Sequence, residues 1–221
     1  MNPRDKILAV HKRLLDFYGY PEWRPPLSPV DELVSTILSQ NTNDTNRDRA
    51  FKALKARFPT WEAVIDADPE EVIDAIRPAG LANQKGPRIQ SVLREISERR
   101  GKLDLDFLTG LPFDEARKWL MQFKGVGPKT AAIVLLFSLE MPAFPVDTHI
   151  YRVTGRLGVL PEKMSVEQAH DYLANLLPPE AYFPAHLNLI RLGREICQAR
   201  RPKCPECPLQ ELCDYYAENY S

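Results

Sequence analysis

Phe123-Lys124-Gly125-Val126-Gly127-Pro128-Lys129-Thr130-Ala131-Ala132 is the stretch from which the rest of the chain can be read. Upstream, Asp114 to Phe123 is amphipathic at helical spacing behind Pro112. Downstream, Lys129 to Leu139 is nearly all apolar. Two helices joined by a glycine-rich turn are therefore expected. Gly125 and Gly127 are both read as positions that accept positive φ and let the backbone approach a ligand closely. Amides at the start of the second helix would then point outward at the positive end of its dipole, where a phosphate is attracted. Such a hairpin of helices suits a nucleic-acid backbone held without reading bases. A tight helical corner whose glycines serve packing alone fits the same residues.

Lys129 adds chemistry to the turn. It falls in the first turn of the second helix, where the dipole disfavours a cation. The apolar run behind it, Ala131 to Phe137, marks the helix as buried. Desolvation and the dipole both lower an ammonium pKa. A neutral amine is a nucleophile that can form a Schiff base with a carbonyl-like carbon. A lysine that simply binds phosphate at the mouth of the turn is the other reading.

Further along comes Pro145-Val146-Asp147-Thr148-His149-Ile150-Tyr151-Arg152-Val153. Asp147 is placed as the N-cap of a helix whose inner face carries Ile150 and Val153. Capping does not exclude chemistry, because a fixed carboxylate can stabilise a developing cation or take a lysine's proton. His149 reads as a structural hydrogen-bonder, since no second histidine lies at ligand spacing.

The cysteines Cys197, Cys204, Cys207 and Cys213 follow the pattern C-x6-C-x2-C-x5-C. Thiolates gathered this closely suit one metal centre. Zinc is one candidate, although its sites usually show two short C-x-x-C knuckles and this pattern has one. A larger, cube-like iron–sulfur cluster is favoured; two disulfides remain the plain alternative.

Local signals elsewhere are helical. Asn2-Pro3 opens a periodic stretch that stops at Gly19, and Ser28-Pro29 opens another. Thr60, Asp68-Pro69 and Ser165 read as further starts, with Gln168 completing a capping box on Ser165. Strand-type alternation is nearly absent, so an all-α fold of many short helices is expected. The formal net charge is −1. Nucleic-acid binders usually carry a basic surplus, so any such contact must come from local patches and backbone donors. The N-terminus has no apolar run of the secretory kind, and the longest apolar run is too short for a bilayer. A cytoplasmic location follows as the expectation.

Taken together, Gly125 to Ala131, Val146 to Val153 and the cysteine pattern resemble endonuclease III. This is the bifunctional DNA glycosylase and AP lyase family of the helix-hairpin-helix–GPD superfamily. The resemblance runs from about residue 28 to residue 213. It implies two helical domains with a DNA-binding cleft between them. One would span 28–140 and carry the helix-hairpin-helix at about 112–139; the other would comprise 1–27 plus 141–221. It also implies a 4Fe-4S cluster in the loop 197–213, held by the four cysteines. By motif position, Lys129 would be the nucleophile and Asp147 its essential carboxylate. The implied partner is double-stranded DNA containing damaged pyrimidines or abasic sites, handled by a monomer associated with the nucleoid.

Two further segments match the family. Ile37 to Asp44 resembles its stretch that enters the duplex, which places Gln40 and Asn41 at the DNA. Gly80-Leu81-Ala82-Asn83-Gln84-Lys85 resembles its second wedge, with Leu81 at the tip. Gly125, Val126, Gly127 and Thr130 would contact DNA at the hairpin, and Arg200, Arg201 and Lys203 would do so from the cluster loop. There are departures. Familiar members carry glutamine where Asn41 aligns, Leu-Pro where the hairpin here opens Phe-Lys, often a basic residue at Pro128, and histidine at Leu192. These touch lesion preference rather than reaction class. A monofunctional mismatch or adenine glycosylase on the same scaffold is the main alternative, and Lys129 argues against it. A non-catalytic DNA-binding iron–sulfur protein is a second.

Overall fold

The structure, a computed structural model, describes residues 1–22 and 25–220. The described residues form helices and no strand. In chain order they are α1 (Pro3–Tyr18), α2 (Pro29–Ser39), α3 (Asp44–Arg57), α4 (Trp61–Asp66), α5 (Pro69–Ile76), α6 (Ala82–Arg100), α7 (Phe113–Leu120), α8 (Pro128–Ser138), α9 (Thr148–Arg156), α10 (Val166–Leu176), α11 (Tyr182–Glu195) and α12 (Asp214–Tyr220), with short 3-10 turns between some of them. The expected all-α class is what the chain adopts.

Most starts are made by local capping. Asn2, Ser28, Asn43, Thr60, Asp68, Asp147 and Ser165 each accept a backbone N–H from the following turn through their side chains. At Ser165 the reciprocal bond from Gln168 is also present, at 3.0 Å. Each such cap satisfies one of the donors that a helix start leaves without an intrahelical partner, and is worth about 1 kcal/mol.

The chain divides into two compact units, residues 26–141 and residues 1–25 with 142–221. The first is built around α2, whose residues Glu32 to Leu38 are all buried. α2 packs against α8, α3 and α6. α8 is itself apolar on almost every side, with Thr130 to Ala132, Val134, Leu135 and Phe137 buried. A helix apolar all round belongs inside a core rather than on its edge. In the second unit α11 packs on α9 and α1, and α10 on α1. Lys6 ties this unit together: its ammonium donates to the Leu157 carbonyl at 2.7 Å and pairs with Asp214 at 2.6 Å.

Candidate functional site

α7 ends at Leu120, earlier than its sequence pattern suggests, and a turn carries the chain through Phe123 to Gly127. Phe123 is buried and meets Trp119 edge to face at 4.9 Å, anchoring the hairpin from behind. The two glycines behave differently. Gly125 has φ +87° and its Cα faces the side chain of Arg88. Gly127 has φ −94° with extended ψ, and a Cβ there would meet nothing within 4 Å. Of the two glycines that could accept positive φ, only Gly125 adopts it. Gly127 serves as the N-cap of α8, where its own conformation is open to any residue.

Lys129 lies at the second position of α8, half-buried. No hydrogen bond or ion pair holds its ammonium among the described residues. The first turn of α8 leaves the amides of Lys129 and Thr130 without intrahelical acceptors, so they remain donors at a dipole's positive end. Two of the expected contact residues are redirected. The Val126 side chain is buried and its N–H is spent on the Phe123 carbonyl at 3.0 Å. The Thr130 side chain is buried too, which leaves only its amide for a ligand.

Gln40 is redirected more completely. Its amide nitrogen donates to the Gly125 carbonyl at 3.2 Å, and its Oε1 accepts from Arg88 at 2.9 Å. A side chain bonded at both ends braces the hairpin. Asn41, the next residue, is exposed and has φ +53°. Leu81 is also left-handed, with φ +51°, and 47 % exposed. A branched apolar residue in that backbone region and in water is unusual, and such strain collects at functional segments.

In the other unit Asp147 is buried and caps α9: its Oδ1 accepts the Ile150 N–H at 2.8 Å. That bond leaves Oδ2 outside the cap. The segment before it is held by His186, whose Nδ1 lies 2.9 Å from the Pro145 carbonyl oxygen. His149 is a structural partner as expected, with Nδ1 3.1 Å from Arg152 Nη2. Arg152 also donates to the Cys197 and Gly193 carbonyls, at 3.0 and 2.8 Å. Arg156, one turn on, donates to the Gln198 and Ala199 carbonyls at 2.7 and 3.1 Å and reaches Cys197 Sγ at 3.4 Å. Thus α9 begins at Asp147 and ends against the cysteine loop. Neither arginine drew attention in the sequence, because their partners lie more than forty residues away. Leu192, where a histidine was the family expectation, is core.

All four cysteines are free thiols. Together with Arg156, Ile196, Gln210, Tyr215 and Tyr216 they line a small cavity of about 20 Å³. Among the described residues no three His, Cys, Asp or Glu side chains come together as a single-ion site. The four cysteines share one small cavity, as ligands of one centre would. Burial, with the neighbouring thiolates adding to it, pushes the Cys207 thiol up to about 11 and raises Cys213 in the same direction. Four thiolates so placed would need cationic charge among them, which bound iron would supply. The Arg156 guanidinium, 4.9 Å from the Tyr215 ring, adds a positive neighbour. Arg200, Arg201 and Lys203 are exposed on the same loop, and the Lys203 amide is pinned to the Ile196 carbonyl at 2.9 Å.

Residues 34–179 match the model of HhH-GPD superfamily base excision DNA repair proteins, and residues 197–213 match the iron–sulfur binding domain of endonuclease III. The chain belongs to the endonuclease III family. It is 34 % identical to endonuclease III of Thermotoga maritima over 89 % of this chain and 88 % of that one. It is 35 % identical to endonuclease III of Sulfolobus acidocaldarius over 85 % of this chain and 82 % of that one. A trapped endonuclease III–DNA covalent intermediate superposes with a TM-score of 0.86 at 28 % identity, covering 99 % of both chains. The chain is accordingly a base-excision-repair DNA glycosylase of this superfamily. The match over residues 197–213 supports a 4Fe-4S cluster in the C-terminal loop, which Cys197, Cys204, Cys207 and Cys213 would hold. A cluster bound there would tie the four thiolates to one centre and so steady the loop that presents Arg200, Arg201 and Lys203.

Proposed function

We propose that this endonuclease III-family chain excises oxidised pyrimidines from duplex DNA and cleaves the strand 3′ to the abasic site. Lys129 carries the reading. It is a half-buried lysine in the first turn of α8, directly behind the Gly125 turn, with no partner among the described residues holding its ammonium. A lysine kept for stability alone would be expected to have one.

The damaged nucleotide leaves the base stack, since its sugar carbon is out of reach within a duplex. As the C1′–N glycosidic bond lengthens, positive charge grows on the sugar, and the Asp147 carboxylate stabilises it. The Lys129 Nζ, once a proton has left it, forms a bond to C1′, and the base departs with the electron pair and a proton. The C1′–O4′ bond then opens, O4′ takes a proton, and nitrogen and C1′ become a protonated imine. Loss of a proton from C2′ shifts an electron pair and breaks the C3′–O3′ bond, releasing the phosphate. Water hydrolyses the imine and returns lysine and an unsaturated aldehyde. Asp147 is also the group suited to hold the lysine's proton. The α8 amides and the loop cations Arg200, Arg201 and Lys203 hold phosphates, while Asn41 and Leu81 occupy the space the extruded nucleotide leaves.

Borohydride reduction tests the imine. The wild-type protein should become covalently linked to duplex DNA carrying an abasic site or thymine glycol, and Lys129→Ala should not. Base release by wild type without trapping or strand cleavage would overturn the lyase reading in favour of a monofunctional glycosylase.

A further inference from the structure

The mechanism leaves one ionisable group unused inside the first unit. Lys85 is 2 % exposed, among the most deeply buried of the large side chains. Its ammonium donates to two backbone carbonyls, those of Leu38 and Ala79, both at 2.8 Å. These are not arbitrary carbonyls. Leu38 is one of the last residues of α2, two before Gln40 and three before Asn41. Ala79 ends the 3-10 turn that leads into Gly80 and Leu81. Both are carbonyl ends of helical segments, which lack intrahelical donors and carry partial negative charge.

At the end of α2 the other carbonyls have local partners. Thr36 accepts from the Ser39 hydroxyl at 2.7 Å, Ile37 from the Gln40 amide at 3.3 Å, and Ser39 from the Thr42 amide at 3.3 Å. The Leu38 carbonyl is met by Lys85, so the lysine completes the C-terminal cap of α2. On its other side the lysine brackets Leu81. Its backbone N–H donates to the Leu81 carbonyl at 2.9 Å, while its ammonium holds Ala79, two residues before Leu81. Gly80 at φ +67° and Leu81 at φ +51° are consecutive left-handed residues. A bulky residue stays in that region only where its surroundings over-determine it. Burial, and then the nearby Arg88 charge, lower the Lys85 pKa, as expected of an ammonium taken out of water. One turn along α6, Arg88 extends the brace through Gln40 to the Gly125 carbonyl.

We infer that Lys85 is a positioning residue that holds the Asn41 turn and the Leu81 turn in one fixed relation, so that both enter the duplex together at the damaged nucleotide. The inference rests on the glycosylase–lyase reading above and names how nucleotide extrusion is supported. Lys85 touches neither DNA nor the reacting atoms. Its effect falls on extrusion and leaves the chemistry at Lys129 alone. A substrate that needs no extrusion should therefore be indifferent to it.

The test compares two substrates with the full-length, cluster-loaded protein: a duplex carrying thymine glycol or an abasic site, and the same abasic site in single-stranded DNA. Lys85→Met keeps the length of the side chain and removes its donors. It is expected to lower single-turnover cleavage of the duplex tenfold or more, while cleavage of the single strand and borohydride trapping on the single strand stay within about twofold of wild type. A 2-aminopurine placed beside the lesion should brighten less with the variant than with wild type, since extrusion unstacks it. Should Lys85→Met not fold, Lys85→Gln carries the comparison: its amide nitrogen sits one bond nearer the backbone and is expected to lose the bridge between the Leu38 and Ala79 carbonyls. An equal loss on both substrates would reduce Lys85 to a general stability role, and an unchanged duplex rate would remove it from the reaction altogether; either overturns the inference. Failure of wild type to cleave or trap on either substrate instead overturns the lyase reading, and the two failures are thus distinct.

Discussion

Replacing Gly125 with alanine separates the two glycines that look alike in the sequence. At φ +87° an L-residue costs about 1–2 kcal/mol relative to glycine. The added methyl would also lie 2.4 Å from Arg88 Cδ, 2.5 Å from its Nε and 3.0 Å from its Cζ. The Arg88 side chain is only half-buried and can swing away, but doing so breaks its 2.9 Å bond to Gln40. A charged hydrogen bond at a half-exposed site is worth about 1–1.5 kcal/mol. The sum is about 2–3.5 kcal/mol, or roughly 4–14 °C in melting midpoint for a chain of this size. Gly127→Ala should cost only about 0.5–1 kcal/mol, the loss of a tolerable N-cap, because neither its φ nor its surroundings object. The assay is the thermal and urea midpoint of the cluster-loaded protein, followed by far-ultraviolet circular dichroism. Arg88→Ala supplies the third corner. In the double variant Gly125→Ala with Arg88→Ala the steric part disappears, so the losses should fall short of additivity by about 1–1.5 kcal/mol. Strict additivity, or a Gly127→Ala loss as large as that of Gly125→Ala, would refute the reasoning.

Two further expectations concern the other unit. Asp147→Asn keeps an acceptor for the Ile150 N–H, so stability should change by less than about 0.5 kcal/mol, whereas Asp147→Ala should lose about 1 kcal/mol with the cap. Both should lower base release by a factor of about a hundred or more, and melting curves read beside turnover would separate the two roles. His11 gives a pH dependence. Its Nδ1 is buried with no hydrogen-bond partner among the described residues, and burial lowers its pKa below 6.5. The unfolded chain then takes up the proton first as pH falls, so stability declines from pH 6.5 down to the folded-state value and levels off beneath it. His11→Leu should flatten that decline in melting midpoints recorded from about pH 7.5 to 5.

How legible each feature was depends on how far its physics reaches along the chain. Capping acts over three residues, and Asn2, Ser28, Thr60, Asp68, Asp147 and Ser165 were readable as helix starts for that reason. The end of α7 was not, because the turn after Leu120 is held by Phe123 packing on Trp119 rather than by any breaker residue. The four cysteines announced a centre through their spacing, but spacing left zinc and iron–sulfur both standing. The match to the iron–sulfur binding domain of endonuclease III separates them. Gln40 and Asn41 are neighbours with similar chemistry, and nothing local shows that one is bonded at both ends while the other is exposed.

By itself the amino-acid order determined the helical class, most helix starts, the candidate nucleophile at Lys129 and the four thiols, since these depend on residue type and on neighbours within a turn or two. Only the tertiary structure decided which glycine bears the strained backbone, that Gln40 braces the hairpin, and that Lys85 joins two distant turns. Those outcomes depend on which buried donor meets which orphaned carbonyl, and that pairing exists only after elements some forty residues apart have packed together.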